Sequence, residues 1–317
     1  MSTATPSGPA ANDRLAHAAA ANPSALAPAD RLAAATHMDA VTLYVRDIDR
    51  MTDFYARVIG LQVMERSAVD GRDGIVTLGR GTVPLVVLRE ARDLPERRPG
   101  EAGLFHTAIL FADHAGVAGA LARVATYAPE LYTGAGDHLV SEAFYLDDPE
   151  GNGIELYVDR PRDQWEWTQG HVKMDTLYID PNAFLTEHLT ETALERPEDS
   201  AATLGHVHLQ VGDVPTAHRF YVDTLGFEAT ATLGTSALFV SAGGYHHHMA
   251  MNTWRSMGAG PRPVQLGLGE VSILVPTRDE IGALADRLAH GGVEHADDGA
   301  VLRFSDPWNN RIAVAVG

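Results

Sequence analysis

Histidines without cysteines define the metal chemistry that this chain can offer: among its 317 residues are 15 His and no Cys. Without thiolates, a metal must be held by imidazole nitrogen and carboxylate oxygen, which suits Fe(II), Mn(II) or Zn(II). Sets of two histidines and one carboxylate leave open coordination positions, and non-haem Fe(II) oxygenases use them. His106 and Glu155 stand at the two ends of one segment of the chain and are candidates for two of the three ligands.

The segment that ends at Glu155 carries the most specific motif of the sequence. It consists of Gly136-Asp137-His138, a spacer of five residues, Phe144-Tyr145, Asp148-Pro149-Glu150-Gly151 and finally Glu155. The motif therefore adds His138 and Tyr145 to the residues of interest.

An internal repeat indicates which elements position these residues. The segments 40–45 and 206–211 both alternate as strands do, and each leads to a Phe-Tyr pair and a glycine, at Phe54-Tyr55 and Phe220-Tyr221. Two weaker copies begin at His106 and Glu270, and each ends in a D-P-x-x-x-x-I pattern. The sequence therefore predicts an α+β fold of four βαβββ units forming two domains around curved mixed sheets. The predicted units span roughly 38–92, 103–158, 203–255 and 266–316.

Composition predicts how the chain is divided. Residues 1–35 are rich in Ala and Pro and predict a disordered tail. Residues 36–158 and 203–317 are predicted to be two domains of two units each, joined by a linker at 159–202. A linker of this length can cross the molecule, so units that are adjacent in sequence need not share a sheet.

The charge balance limits the kinds of partner. Lys and Arg total 24 against 42 Asp and Glu, which gives a formal net charge of −18. Such a surface repels phosphate backbones and anionic lipids, so we expect neither nucleic acid nor membrane partners. No signal-peptide pattern and no long apolar run occur, and we expect a cytoplasmic enzyme. The sequence leaves the oligomeric state open, with a homo-oligomer among the options.

The motif resembles the signature of the type I extradiol ring-cleavage dioxygenases, which belong to the vicinal oxygen chelate superfamily of paired βαβββ units. The two-domain layout is most similar to that of the bacterial catechol 2,3-dioxygenases. This resemblance implies that His106 and Glu155 are metal ligands and that His138 and Tyr145 contact the substrate. It also implies Fe(II), with Mn(II) as the alternative, and cleavage of a catechol by O2 to a 2-hydroxymuconic semialdehyde, a reaction of aromatic hydrocarbon catabolism.

One departure from the family pattern concerns the third ligand. The family places a histidine in the first strand of the unit that pairs with the signature unit, yet the first unit has Ala40 there and the third unit has His206. We therefore predict that units two and three pair and that His106, Glu155 and His206 form one complete site. A competing set from the C-terminal half consists of His206, His248 and Glu270, but it lacks the signature.

The run Tyr245-His246-His247-His248 offers further imidazoles. Interpreted as a strand, it places His246 and His248 on one face and His247 on the other. We expect His248, in the last strand of unit three, or His138 to act as the acid–base group, since the unperturbed pKa of imidazole lies nearest neutrality. An edge strand with solvated imidazoles is the structural alternative.

Two other functions fit the same scaffold. One is a glyoxalase-type lyase or isomerase, in which Zn or Ni polarises an enediolate. The other is a metal-free, drug-binding protein. The spacing of His138 and Tyr145 disfavours the lyase, and the proposed ligand set disfavours the binding protein.

Overall fold

The computed structural model describes residues 30–69 and 72–317, and these residues contain four βαβββ units. Unit one comprises β1 (His37–Val45), α1 (Ile48–Phe54) with a π-helical extension (Tyr55–Ile59), β2 (Gln62–Val69), β3 (Arg72–Arg80) and β4 (Val83–Glu90). Unit two comprises β5 (Gly103–Phe111), α2 (His114–Tyr127), a 3-10 turn (Pro129–Leu131), β6 (Tyr132–Asp137), β7 (Ser141–Asp147) and β8 (Gly153–Asp159).

The linker contains short elements, namely a 3-10 turn (Arg162–Gln164), β9 (Trp167–Thr168), β10 (His171–Val172), α3 (Pro181–His188), α4 (Glu191–Glu195) and a second 3-10 turn (Pro197–Asp199). Unit three comprises β11 (Ala202–Gln210), α5 (Val214–His218) with a π-helical extension (Arg219–Thr224), β12 (Glu228–Leu233), β13 (Ala237–Ser241) and β14 (Met249–Asn252). Unit four comprises β15 (Gly267–Val275), α6 (Arg278–His290), β16 (His295–Asp297), β17 (Val301–Ser305) and β18 (Arg311–Val316).

The sheets pair units that are distant in sequence. One eight-stranded sheet has the order β16-β17-β18-β15-β1-β4-β3-β2 and joins units four and one. The other has the order β12-β13-β14-β11-β5-β8-β7-β6 and joins units three and two. Both sheets are curved and mix parallel with antiparallel pairs, so the predicted fold class is confirmed. The predicted pairing of unit two with unit three is confirmed as well. Each sheet takes one unit from each half of the chain, and the predicted domain boundaries stay a prediction.

The repeated D-P motif closes a turn at equivalent places in both sheets. In unit two, Asp148 accepts hydrogen bonds from the backbone of Glu150 and Asn152, at 2.9 Å each, and from the hydroxyl of Tyr55 at 3.2 Å. Asp306 plays the same part in unit four, where the hydroxyl of Tyr221 donates to it at 2.9 Å. The Phe-Tyr pairs recognised in the sequence thus tie the helices of units one and three to the turns of units two and four.

One large apolar core contains residues from both sheets, among them Leu43 and Val86 of one sheet and Leu209 and Met251 of the other. Because side chains alternate along a strand, the residues between these core positions point to the opposite face. In the sheet of units two and three, that opposite face carries buried polar side chains of β8 and β11, among them Glu155 and His206.

The predicted tail falls largely outside the described residues. Of residues 1–35, the structure describes 30–35, and there Leu32 is buried and its backbone N–H donates to the carbonyl of Gly226 at 2.9 Å. This end of the predicted tail therefore packs against unit three. Within residues 30–69 and 72–317, no helix has the length and apolar character needed to cross a membrane.

Candidate metal centre

Strand alternation brings three candidate ligands to one face of the sheet. Along β8, Ile154 and Leu156 point into the apolar core, so Glu155 points to the opposite face. Along β11, Val207 occupies the core and His206 lies on the side of Glu155. The antiparallel pairing of β11 with β5 places His206 opposite Ala108, two residues after His106 on the same strand. Residues from three strands therefore meet at the middle of the sheet.

The three side chains converge on one point. Nε2 of His106 lies 3.0 Å from Oε2 of Glu155, and Nε2 of His206 lies 3.1 Å from the same oxygen. All three side chains are buried, and one ligand atom from each lies within 4.8 Å of the others. The structure thus brings together the three residues predicted from the sequence; their role as metal ligands stays a prediction.

The donor atoms fit a divalent metal. Nε2 of His106 is buried and makes no hydrogen bond of good geometry within the described part of the chain, although a buried polar atom normally has a partner. Two imidazole nitrogens and one carboxylate oxygen, without sulfur, suit Fe(II), Mn(II) or Zn(II). A metal between these three atoms would satisfy the unpartnered nitrogen, so the residues present fit such an ion.

The electrostatics of the cluster favour its metal-binding protonation states. Burial alone would raise the pKa of Glu155, but the imidazoles of His206 and His106 together hold that pKa well below its usual range. Burial lowers the pKa of His206 to about 4, although Glu155 opposes the shift. At neutral pH the cluster therefore offers an ionised carboxylate and a neutral His206, which are the forms that bind metals.

The second ring nitrogen of His206 has a partner in the same sheet. Nδ1 of His206 lies 3.3 Å from the hydroxyl oxygen of Tyr157, which is fully buried two residues after Glu155 on β8. A ligating histidine usually donates its other N–H to an acceptor, which fixes the orientation of the ring. Tyr157 can perform this function for His206.

A cavity of about 680 Å³ adjoins the cluster, and His106, Glu155 and His206 are among its lining residues. Its apolar walls come from Phe105, Val140, Val172, Met174, Ala231, Leu233, Phe239 and Trp254. The linker contributes residues 171–176, so a segment that fits neither half of the repeat forms one side of the cavity. An apolar cavity with a few convergent polar groups is typical of a small-molecule site.

His138 and Tyr145 also line the cavity, and their predicted contact with a substrate stays a prediction. The hydroxyl oxygen of Tyr145 lies 2.6 Å from Nε2 of His138, and Nδ1 of His138 lies 2.9 Å from the backbone carbonyl of Asp175 in the linker. That carbonyl can only accept, so Nδ1 carries the proton and Nε2 accepts from Tyr145. Burial and the nearby Glu155 raise the pKa of Tyr145 well above its ordinary value, so Tyr145 is a hydrogen-bond donor here.

The prediction for His248 is wrong in its geometry. Residues 245–248 form a loop before β14 instead of a strand, so strict alternation does not apply. His248 is absent from the cavity lining, and its Nδ1 accepts from the backbone N–H of Ala242 at 3.2 Å. Burial lowers the pKa of His248 to about 3, so the ring is neutral, and its place outside the cavity is what argues against an acid–base role.

The competing ligand set is not assembled. Glu270 belongs to β15 in the other sheet, where it pairs with Thr42 of β1. Its carboxylate lies 3.7 Å from Arg303 and 3.9 Å from Arg311. Neither Glu270 nor His248 joins the cluster around His206 among the described residues.

The cavity lining contains three histidines that the sequence analysis did not predict as site residues: His171 of the linker, His208 and His247. His247 lines the cavity, and its ring centroid lies 4.1 Å from that of His206. His208 also lines it, and its ring lies 4.9 Å from that of His106. The alternation of His206-Val207-His208 could have revealed His208, since residues two apart on a strand share a face. No sequence signal distinguishes His247 from its neighbours, because a loop has no fixed period.

Comparison with known proteins agrees with the fold. A sequence profile of the Glyoxalase/Bleomycin resistance protein/Dioxygenase superfamily matches residues 37–156 and 203–314. A catechol-2,3-dioxygenase of Bacillus subtilis (strain 168) is 39% identical over 278 residues, which cover 86% of this chain and 94% of that protein.

Two solved structures are similar in fold. A candidate dioxygenase from Bacillus subtilis subsp. subtilis str. 168 has a TM-score of 0.58 at 15% identity, covering 88% of this chain and 84% of the other. Glyoxalase I from Zea mays has a TM-score of 0.53 at 14% identity, covering 89% of this chain and 92% of the other. At these identities the likeness concerns the fold alone, and the function has to be argued from the site.

Proposed function

The chain belongs to the Glyoxalase/Bleomycin resistance protein/Dioxygenase superfamily, and from this membership we propose that it is an extradiol dioxygenase that uses Fe(II) and O2 to cleave a catechol. The observation that carries the proposal is the convergence of His106, Glu155 and His206 at an apolar cavity that also contains His138 and Tyr145. A catechol-2,3-dioxygenase as a relative over most of the chain supports the same reaction.

We assign the metal to His106, Glu155 and His206, with Mn(II) as the alternative to Fe(II). When bound, the ion supplies a redox-active centre with open positions at which a catechol and O2 can both be held. The single carboxylate leaves a divalent site with a net positive charge, which favours binding of a deprotonated catechol oxygen. The apolar walls around the cavity limit the access of water and strengthen these electrostatic interactions.

The imidazoles of the cavity are placed to move the substrate's protons. His247 stands beside His206, and burial lowers the pKa of His247 well below its usual range, so it is neutral and can accept a proton. His138 is the second candidate, with its Nε2 directed at the hydroxyl of Tyr145. The single hydroxyl proton of Tyr145, which Nε2 of His138 accepts in this structure, would have to turn to a catechol oxygen for Tyr145 to donate to the substrate. We therefore assign acid–base function to His247 and His138. His247 takes the acid–base function that the sequence analysis predicted for His248.

The proposed reaction adds both atoms of O2 to the product. For unsubstituted catechol, opening of the carbon–carbon bond beside the diol gives 2-hydroxymuconic semialdehyde, with no reductant consumed. Substituted catechols are further candidates. The cytoplasmic location expected from the sequence stays a prediction.

The experiment is anaerobic reconstitution of the full chain with Fe(II), followed by addition of catechol and air-saturated buffer. The expected result is a yellow product whose formation requires the metal. Parallel samples with Mn(II) and Zn(II) identify the metal, because Zn(II) has no redox chemistry to offer. Turnover of a glyoxalase-type substrate by the Zn(II) form, without catechol cleavage by the Fe(II) form, would favour the lyase instead.

A further inference from the structure

The geometry points to Asp159 and His246 as positioning residues that place the ring proton of His247 on Nδ1 and leave its Nε2 free in the cavity. This inference rests on the proposed function for its catalytic meaning, whereas the proton positions themselves follow from hydrogen-bond geometry. Neither Asp159 nor His246 lines the cavity, so both would act through His247.

The chain of hydrogen bonds begins at a carboxylate. Nε2 of His246 lies 2.9 Å from Oδ1 of Asp159, whose side chain is 22% exposed while that of His246 is fully buried. An ionised carboxylate only accepts hydrogen bonds, so Nε2 of His246 must carry a proton. Asp159 therefore fixes the first proton position.

The proton position on His246 determines the proton position on His247. Nδ1 of His246 lies 2.8 Å from Nδ1 of His247, so one of these two nitrogens must donate to the other. A neutral His246 with its proton on Nε2 has only a lone pair at Nδ1, which makes His247 the donor. A second proton on His246 would bury a positive charge beside the rings of His206 and His247, which is unfavourable.

As a consequence, Nε2 of His247 carries no proton. A neutral imidazole with its proton on Nδ1 has an unprotonated Nε2, and no hydrogen bond to that atom occurs within residues 30–69 and 72–317. His247 lines the cavity next to His206, so the lone pair is available to a substrate hydroxyl there. The arrangement has the logic of an acid–base histidine oriented by a third group.

The same carboxylate anchors a second chain, which ends at a proposed metal ligand. Tyr245 lies beside Asp159, and its hydroxyl oxygen lies 2.9 Å from that of Tyr157, the partner of Nδ1 of His206. With each hydrogen bond directed toward Asp159, Tyr245 donates to the carboxylate, Tyr157 donates to Tyr245, and Nδ1 of His206 donates to Tyr157. His206 then carries its proton on Nδ1 and has Nε2 free for the metal. Asp159 therefore acts on both chains, whereas His246 acts on the chain to His247 alone.

The test locates protons directly. Full-length protein labelled with ¹⁵N-histidine and loaded with diamagnetic Zn(II) is studied by long-range proton–nitrogen NMR, in which protonated and bare ring nitrogens are well separated. The His247→Phe variant assigns the signals of His247. We expect Nδ1 of His247 to be protonated and Nε2 to be bare. A proton on Nε2 of His247, or on Nδ1 of His246, would overturn the inference.

Two substitutions at His246 separate positioning from simple packing. His246→Leu removes the acceptor, so the His247 signals should change to the other tautomer or a mixture of the two. His246→Asn places an amide oxygen near the position of Nδ1 and should restore the original tautomer. The same His247 spectrum in the native protein, in His246→Leu and in His246→Asn would contradict the inference.

Kinetics give the second readout. With Fe(II), His246→Leu should lower kcat about tenfold or more at unchanged metal content and similar KM, and His246→Asn should recover most of the loss. Asp163→Asn, at an exposed position of the linker four residues after Asp159, is the control and should change neither the His247 spectrum nor kcat. The NMR result does not depend on catechol turnover, so failure of the proposed function and failure of this inference are distinguishable.

Discussion

Glu155 and His206 meet with 3.1 Å between Oε2 and Nε2, although they stand 51 residues apart in the chain and belong to different units. The contact exists because β11 of unit three pairs with β5 of unit two, which in turn pairs with β8. The proposed metal centre is therefore built across the two halves of the sequence. Neither half contains it alone.

The first prediction concerns metal content. Glu155→Ala removes the carboxylate shared by both histidines and should reduce bound metal to a small fraction of the native level, as measured by elemental analysis after dialysis. Glu270→Ala is the matched control, since Glu270 lies in the other sheet beside Arg303. Full metal content in Glu155→Ala would contradict the assignment, and loss in Glu270→Ala alone would favour the competing ligand set.

The second prediction distinguishes two neighbouring histidines. His247→Gln should lower kcat by about 10²–10⁴ at normal metal content, because loss of a positioned acid–base group has effects of this size. His248→Asn should leave kcat within about twofold, since an amide oxygen can replace Nδ1 as the acceptor for the N–H of Ala242. Steady-state kinetics on both variants measure the difference. The reverse ranking would return the role to His248.

The third prediction concerns stability against pH. Burial raises the pKa of Asp148 to about 6, above that of an aspartate in the unfolded chain. The native state therefore binds an extra proton between roughly pH 4 and pH 6, and the contribution of Asp148 to the free energy of unfolding falls as pH rises through this range. The total change is about 3 kcal/mol.

Urea unfolding of the native protein and of Asp148→Asn at pH 4.5 and pH 7.5 measures this effect. The stability advantage of the native protein over the variant should be smaller at pH 7.5 than at pH 4.5, because only the carboxyl group titrates. An equal advantage at both pH values would show that Asp148 is ionised throughout the range.

The fourth prediction concerns the support of His206. A Cβ atom at Gly205 would lie 1.7 Å from the hydroxyl of Tyr157, the partner of Nδ1 of His206. Gly205→Ala should therefore displace Tyr157 and weaken metal binding by about 10–100-fold, the usual range for outer partners of ligating histidines. Competitive titration with a chelator measures this. Gly282→Ala in α6, where a Cβ would meet nothing within 4 Å, is the control and should leave metal affinity unchanged.

Strand periodicity explains why much of the site was predictable from the sequence. Glu155 and His206 lie in regular strands, where alternation fixes the face that each side chain takes. The pairing of units two and three followed from Ala40 standing where a ligand was expected, and the structure confirms it. The matched D-P motifs likewise indicated equivalent turns, now seen at Asp148 and Asp306.

The parts of the site that the sequence did not predict correctly lie in loops, whose conformation depends on contacts with residues distant in the chain. His246 is held by Asp159, 87 residues earlier in the chain, and this contact decides which neighbour reaches the cavity. The carbonyl that orients His138 comes from Asp175 in the linker, which follows no repeat. No local pattern encodes either contact, so the sequence could not assign His247 or the linker wall.

The most direct test of the central claim is oxygen consumption by the Fe(II)-reconstituted protein during catechol turnover, followed with an oxygen electrode and the absorbance of the yellow product together. The account predicts one O2 consumed for each catechol, no product in anaerobic buffer, and loss of both signals in Glu155→Ala. Catechol turnover that continues at the same rate without O2 would contradict it.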